Sequence, residues 1–387
     1  MWAVQGWSGR ENFDVSNPQY ETIASSHFNS PSTNAAFRAN PIEHSDFQSP
    51  LGCNDILLLA QDQQGSQYLQ EKLFSGDSRI TSKMFQAVYG FPFQLMCHKY
   101  GRFVFGMFLQ SCSDDQLTLI TMKITSHDQE FLDAATGRYG SSSIKKMIGL
   151  LAESPMISYV MSILNRLFKL MMTDKFGSSI ILQCLESRHR RENVLIYQAA
   201  LEHCLTLACH EQGCIHLNNF IDEMGGSRRR QLLHLICMNA PNLSADSFGN
   251  FVVQHVLKLE NPDLIKKISS VMTGHYIGLS TKKGGSFVVQ KCLKYEGMLH
   301  NIVEEFLNSN RIFQVANDRY GNYVIQTALE ETMRVGRFDL HSRLVMKLQP
   351  HCAVLRFGYG KNIYNLITGQ TDLISGSSAS VYCGETH

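Results

Sequence analysis

The residues of this chain best suited to reading a ligand are three sets of amides and rings at matched offsets. Asn322, Tyr323 and Gln326 follow Gly321; Ser286, Phe287 and Gln290 follow Gly285; Asn250, Phe251 and Gln254 follow Gly249. On a helix, Asn322 and Gln326 are four apart and share a face, while Val324, Ile325, Ala328 and Leu329 supply an apolar stripe on the other side. An amide offers donors and an acceptor together, which suits the Watson–Crick edge of a base, and a flat ring suits its face. One such set would be ordinary solvated surface. Three in register make a pattern.

The elements that carry these sets recur at a fixed interval. Glycines at 65, 101, 140, 177, 213, 249, 285 and 321 are separated by 36, 39, 37, 36, 36, 36 and 36 residues, which marks eight stacked supersecondary units. Gly358-Tyr359-Gly360-Lys361-Asn362-Ile363 reads as a ninth, truncated copy suited to capping the stack. Within one unit the spacing predicts a helix over Asn250–Leu259, a break at Glu260-Asn261-Pro262, a second helix over Asp263–Met272, and a short apolar piece from His275 to Leu279 before the next turn. No strand-like alternation persists, so the expected fold is an all-α solenoid. Residues one, two and five after each glycine would then form three parallel stripes, suited to an extended ligand read one monomer per repeat.

Composition narrows the function classes. The whole chain carries a net charge of +1, but residues 51–370 hold 33 Lys/Arg against 27 Asp/Glu, or +6, a mildly basic middle that permits contact with RNA. No stretch approaches about 18 consecutive apolar residues, so no membrane span is expected. Met1–Arg10 lacks the apolar core of a secretory signal, which points to a cytoplasmic protein. The eleven cysteines are scattered without a CxxC pair, as in a reducing compartment. Cys204, Cys209 and Cys214, near His210 and His216, match no common zinc spacing and read as buried free thiols, so no metal or other cofactor is expected. The sequence has no P-loop, GxGxxG, HExxH or GxSxG, and its repeated groups are amides and rings rather than paired acids or nucleophiles, so it is not read as an enzyme. Residues 1–48, rich in Asn, Ser, Gln and Pro, read as a disordered arm, and 371–387 as a flexible tail.

The segments Gly321-Asn322-Tyr323-Val324-Ile325-Gln326, Gly285-Ser286-Phe287-Val288-Val289-Gln290 and Gly249-Asn250-Phe251-Val252-Val253-Gln254 resemble the RNA-reading helix of Pumilio (PUF) repeats. The resemblance covers about residues 49–370 and is most specific in the last three units. It implies a right-handed superhelix of eight repeats of about 36 residues, a crescent and a monomer, binding single-stranded RNA antiparallel on its concave face with the last repeat on the 5′ base. By the family pattern, Asn with Gln reads uracil, Ser or Cys with Gln reads adenine, and the intervening residue stacks. Asn322 and Gln326 would read a first U with Tyr323 stacking, and Asn250 and Gln254 a third U with Phe251. At the second base, members that prefer guanine have Glu where this chain has Gln290, so Ser286 and Gln290 with Phe287 imply adenine or a relaxed purine.

Upstream the pattern decays. Ser66, Gln67 and Gln70 of unit 1 fit adenine but lack a good stacker. Unit 2 offers Arg102, Phe103 and Gly106, where Phe103 is suited to stacking, Arg102 to a phosphate, and Gly106 reads nothing. Units 3 to 5 offer Ser141, Ser142 and Lys145; Ser178, Ser179 and Leu182; and Cys214, Ile215 and Asn218, none a usual base-edge pair. The basic runs Arg188-His189-Arg190-Arg191 and Arg228-Arg229-Arg230 fall between reading helices and read as solvated loops or outer helices. The expected function is a messenger RNA 3′ untranslated region binder that recruits repressor or deadenylase proteins, on its convex face. The alternatives are a helical-repeat protein scaffold and a structural or ribosomal RNA binder of low selectivity.

Overall fold

The computed structural model describes residues 52–76, 78–186 and 193–369. The arm expected over 1–48, the tail expected over 371–387 and the Arg188–Arg191 run lie outside the described residues.

Unit 6 shows why each unit forms as it does. The Asp246 carboxylate accepts from the backbone N–H groups of Phe248 and Gly249 at 2.9 and 2.8 Å, satisfying orphan donors where the helix Gly249–Lys258 begins. Val252, Val253, Val256 and Leu257 bury one stripe of that helix completely. The chain leaves it through Glu260, which takes the left-handed conformation (φ 50°) usually held by glycine. Asn261 then caps the next helix, its side-chain oxygen accepting from Asp263 and Leu264 N–H at 3.0 and 3.2 Å, with Pro262 in the first turn where no N–H is needed. That helix, Pro262–Met272, ends before Gly274 (φ 86°). The apolar piece expected as a connector is itself a five-residue helix, Tyr276–Ser280, so this unit has three helices rather than two.

Units stack by like against like. The first helices, Gln63–Phe74, Gly101–Ser111, Arg138–Leu150, Lys175–Glu186, Glu211–Glu223, Gly249–Lys258, Lys283–Leu293 and Gly321–Arg334, each contact the next, and the last contacts the capping helix Lys361–Thr368. The second helices, from Ser78–Gly90 to Phe338–Leu348, form a parallel ladder of their own. No strand occurs among the described residues. The result is an all-α solenoid whose core is continuous from unit to unit.

The ruler glycines owe their spacing to this stacking. They lie in the first turn of their helices with helical φ, so left-handed freedom is not what they supply. Their missing side chain lets the helix pass against the carbonyl six residues earlier. A Cβ would stand 2.5 Å from Leu59 O at Gly65, 2.8 Å from Met171 O at Gly177, 2.7 Å from Leu207 O at Gly213 and 2.8 Å from Leu243 O at Gly249, and the same clash recurs at the other four. Two polar residues in the core are absorbed by the same layer. Ser143 Oγ donates to Met96 O at 3.0 Å, and His216 Nδ1 pairs with Met172 O at 2.9 Å.

Candidate nucleic-acid interface

The first helices place the residue one after each glycine in a buried column: Ser66, Ser141, Ser178, Cys214, Asn250, Ser286 and Asn322 are buried, and only Arg102 departs. Their polar atoms are tied into the first turn. Ser141, Ser178, Cys214 and Ser286 donate to the carbonyl three residues back, at 2.9–3.2 Å. The asparagines reach one residue further: Asn322 Nδ2 donates to Asp318 O at 2.8 Å and Asn250 Nδ2 to Asp246 O at 3.0 Å.

The glutamines four residues on are held in turn. Gln326 Nε2 donates to Asn322 Oδ1 at 2.8 Å, and Gln254 Nε2 to Asn250 Oδ1 at 3.0 Å. In unit 7, Gln290 Nε2 donates to Ser286 O at 3.1 Å; in unit 1, Gln70 Nε2 donates to Ser66 O at 3.1 Å and to its hydroxyl at 3.2 Å. Ser66 itself donates to Tyr100 O of the following unit at 3.2 Å. The amide pairs are therefore fixed before any ligand arrives, so little side-chain entropy remains to be lost on binding.

In units 6 to 8 an open ring stands between the pair: Phe251, Phe287 and Tyr323 are 54%, 51% and 54% exposed. An aromatic ring left half bare beside fixed amides offers a stacking surface that contributes about 1–3 kcal/mol per base. A cavity of about 670 Å³ opens beside Phe287, lined by Gln254 and Gln290 and by both charges, Lys258, Lys291 and Lys294 against Glu260, Glu330 and Glu331. Burial, with Lys258 and Lys294 nearby, pushes the Lys291 ammonium down to about 8.

Elsewhere on the face the structure differs from the sequence reading. Phe103 is exposed, but the Arg102 guanidinium lies over its ring at 4.2 Å, so one face of that stacker is already covered. Arg102 is accordingly folded along the surface rather than extended into solvent. Gln67 is exposed with no ring to offer. The Arg228–Arg230 run does lie on an outer helix, Gly226–Met238, yet two of its members bind the protein: Arg228 Nη1 donates to Val194 O at 3.4 Å and Arg229 Nε to Ile221 O at 2.8 Å. Cys204 and Cys214 are buried, whereas Cys209 is exposed, a correction that follows from its place just past the end of the helix Val194–Ala208. Among the described residues no group of His, Cys, Asp and Glu could hold a metal ion, and His216 spends its ring nitrogen on a carbonyl.

Three contributors escaped the sequence reading. Asn362 of the capping helix donates to Gln326 Oε1 at 3.4 Å, extending the face beyond unit 8. Gly284 leaves room for Asn250, whose Nδ2 would lie 2.7 Å from a Cβ there. Lys146 occupies the space beside Gly106. The Gly-Lys-Asn cap was a signal for the first; the others depend on contacts between units.

A ladder of two- and three-helix units with one column of fixed polar groups and, in units 6 to 8, one of open rings defines a helical-repeat binding protein with a single reading face. The family model described as "Pumilio-family RNA binding repeat" matches residues 55–88, 168–193, 203–237, 239–272, 275–305 and 311–332. Pumilio homolog 18 of Arabidopsis thaliana is 33% identical over 278 residues, covering 71% of this chain and 84% of that protein. Pumilio homolog 12 of the same plant is 29% identical over 318 residues, covering 81% of this chain but 53% of its own length. Among solved structures, the Puf4 RNA binding domain bound to the HO endonuclease RNA 3′ UTR recognition sequence superposes with a TM-score of 0.63 at 26% identity, over 80% of this chain and 97% of that one. The chain belongs to the Pumilio family of RNA-binding repeat proteins. That membership sets it among binding proteins rather than enzymes. No described helix is long and apolar enough to cross a membrane.

Proposed function

We propose that this protein binds single-stranded RNA in a sequence-specific way, reading a 5′ U-A-U or U-purine-U with its last three units. The observation that carries the reading is the recurrence of one geometry, a fixed amide pair beside a half-bare ring, in Asn322/Gln326 with Tyr323 and Asn250/Gln254 with Phe251. In unit 7, the Ser286 hydroxyl already donates to Lys283 O and so presents its oxygen as an acceptor, beside Gln290 and Phe287. That pair suits a base carrying an exocyclic amine, as adenine does. Unit 1 adds Ser66 and Gln70 at the far end of the footprint, with Gln67 in the stacker's place. Affinity then rests on three stacked bases, with the middle units contributing shape and charge.

The ligand class is messenger RNA, in its 3′ untranslated region. The effect is repression or decay through repressor or deadenylase proteins recruited to the outer surface, and the compartment is the cytoplasm. The RNA-bound relative with a matching fold supports the first point. Selection from randomised single-stranded RNA with the full chain tests the reading. Enrichment of sites opening U-A-U or U-G-U is the expected outcome; a flat pool from folded protein would overturn it.

A further inference from the structure

Away from the reading column, cations and carboxylates of neighbouring units meet in pairs. Arg166 of the helix Ile157–Met172 pairs with Asp128 at 2.6 Å, and Nη1 and Nη2 of Arg343 both donate to the Glu304 carboxylate across the helices Phe338–Leu348 and Glu296–Asn308. A groove between units 5 and 6 departs from this. It opens between the helix Gly226–Met238 and the segment 259–267, with a volume of about 800 Å³.

The run Arg228-Arg229-Arg230 begins in the first turn of Gly226–Met238, where the helix dipole disfavours cations, so the stability of that helix does not account for it. Arg228 is spent on Val194 O and lies over the Tyr197 ring at 5.0 Å, and Arg229 gives its Nε to Ile221 O at 2.8 Å. Arg230 is exposed. It lines the groove from one wall and Lys267 from the other, with Arg229 and His234 alongside and Asp263 as the single carboxylate of the lining. Among the described residues no carboxylate pairs with Arg230 or Lys267. Between the walls lie Leu233, Leu259 and Leu264, the last two partly exposed.

We propose that this groove docks an acidic, leucine-bearing peptide segment of a partner protein, its carboxylates meeting Arg230 and Lys267 and its aliphatic side chains covering the three leucines. Such a segment supplies both things the groove lacks, negative charge at its walls and apolar cover between them. An RNA backbone would meet the charge but leave the leucines bare. The reading residue Asn250 also stands at the other end of the helix Gly249–Lys258, about 14 Å along its axis from Leu259. The proposal gives a place and a chemistry to the outer-surface partner proposed above, and rests on that reading for the partner's effect on RNA.

The test uses the full chain and fluorescein-labelled seven-residue peptides that carry two leucines among five glutamates, five glutamines or five lysines. The glutamate peptide should bind about tenfold more tightly than the glutamine peptide, and added salt should weaken it. Arg230→Glu combined with Lys267→Glu should transfer the preference to the lysine peptide, an inversion that a misfolded variant could not produce. The same double variant should bind a U-A-U RNA as the wild type does. Absence of binding by the glutamate peptide, equal affinity for the glutamate and glutamine peptides, or a preference untouched by the charge reversal overturns the proposal. So does a loss of RNA affinity in the double variant with a reduced salt dependence, which identifies a phosphate-backbone contact. A wild type that discriminates no RNA yet keeps the peptide preference overturns the RNA reading alone and supports the docking site.

Discussion

Units 6 to 8 and units 2 to 3 are built on the same ladder but present different surfaces. In both regions the residues three and four after the glycine are buried, Val252 and Val253 or Val104 and Phe105, and in both the glycine passes against the carbonyl six residues earlier. The edge positions diverge: Asn250 with Gln254 in unit 6, Arg102 with Gly106 in unit 2. Stacking and reading therefore occupy separate columns of the same helix. A unit can exchange its reading groups without losing its place in the core: the helices continue through residues 89–167, which the family model passes over.

The largest effect that would sharpen this contrast pits two glycines of neighbouring columns against each other. Gly249→Ala drives a Cβ to 2.8 Å from Leu243 O and 3.0 Å from its Cα, and should cost about 3 kcal/mol, the upper end of the overpacking range. Gly106→Ala meets only the Lys146 chain, and its gain in helix propensity should keep it within about 1 kcal/mol of wild type. Urea midpoints compare the two directly; equal losses would mean that the stacking column includes Gly106.

Next in size is the anchor of the 5′ base. Replacing Asn322 and Gln326 together by Ala removes a hydrogen-bonded pair and should weaken binding of a U-A-U RNA by about 2 kcal/mol. Changing Ser141 and Lys145 in unit 3 together should cost well under half of that. Equal losses in a fluorescence titration would erase the distinction between reading and degenerate units. Smaller again is a change of preference: Gln290→Glu supplies a carboxylate that accepts from guanine, and should shift the second base from adenine toward guanine by about 1 kcal/mol. No shift would remove unit 7 from the reading set.

The smallest expected effect is a pH dependence confined to the cavity beside units 6 to 8. Lys291 sits near 8 in the folded chain against 10.5 for a free lysine. Below pH 8 both states hold the proton, and the folded chain carries the full cost of the crowded, half-buried charge. Between pH 8 and 10.5 the unfolded state binds more protons, so stability from this group rises with pH. Lys291→Met should thus be more stable than wild type below pH 8, with the difference fading as pH approaches 10.5. A difference that stays constant across that window would show that the lysine's charge is not the cause.

Much of this was legible from spacing. The interval of 36 residues placed all eight units, and Glu260-Asn261-Pro262 marked the break between the two long helices of unit 6. The amide pairs were legible because an offset of four on a helix is enough to bring Asn322 and Gln326 together. The five-residue helix Tyr276–Ser280 was not, since it is too short to show a helical period and is held by its neighbours. Nor were the exposure of Cys209 or the ring contact of Arg102, which depend on where a helix ends and which way a long side chain folds.

The sequence by itself determined the solenoid and the identity of each column, because a repeat constrains every copy in the same way and the intervals are local. The tertiary structure alone decided what stands between the columns: the carbonyl behind each glycine, the room Gly284 leaves for Asn250, and the ammonium of Lys146 in the slot of Gly106, 40 residues away in the chain. The carbonyl lies a fixed six residues back, but the other two contacts join residues 34 and 40 apart, and their geometry follows from how one helix is set against the next, which no local spacing encodes.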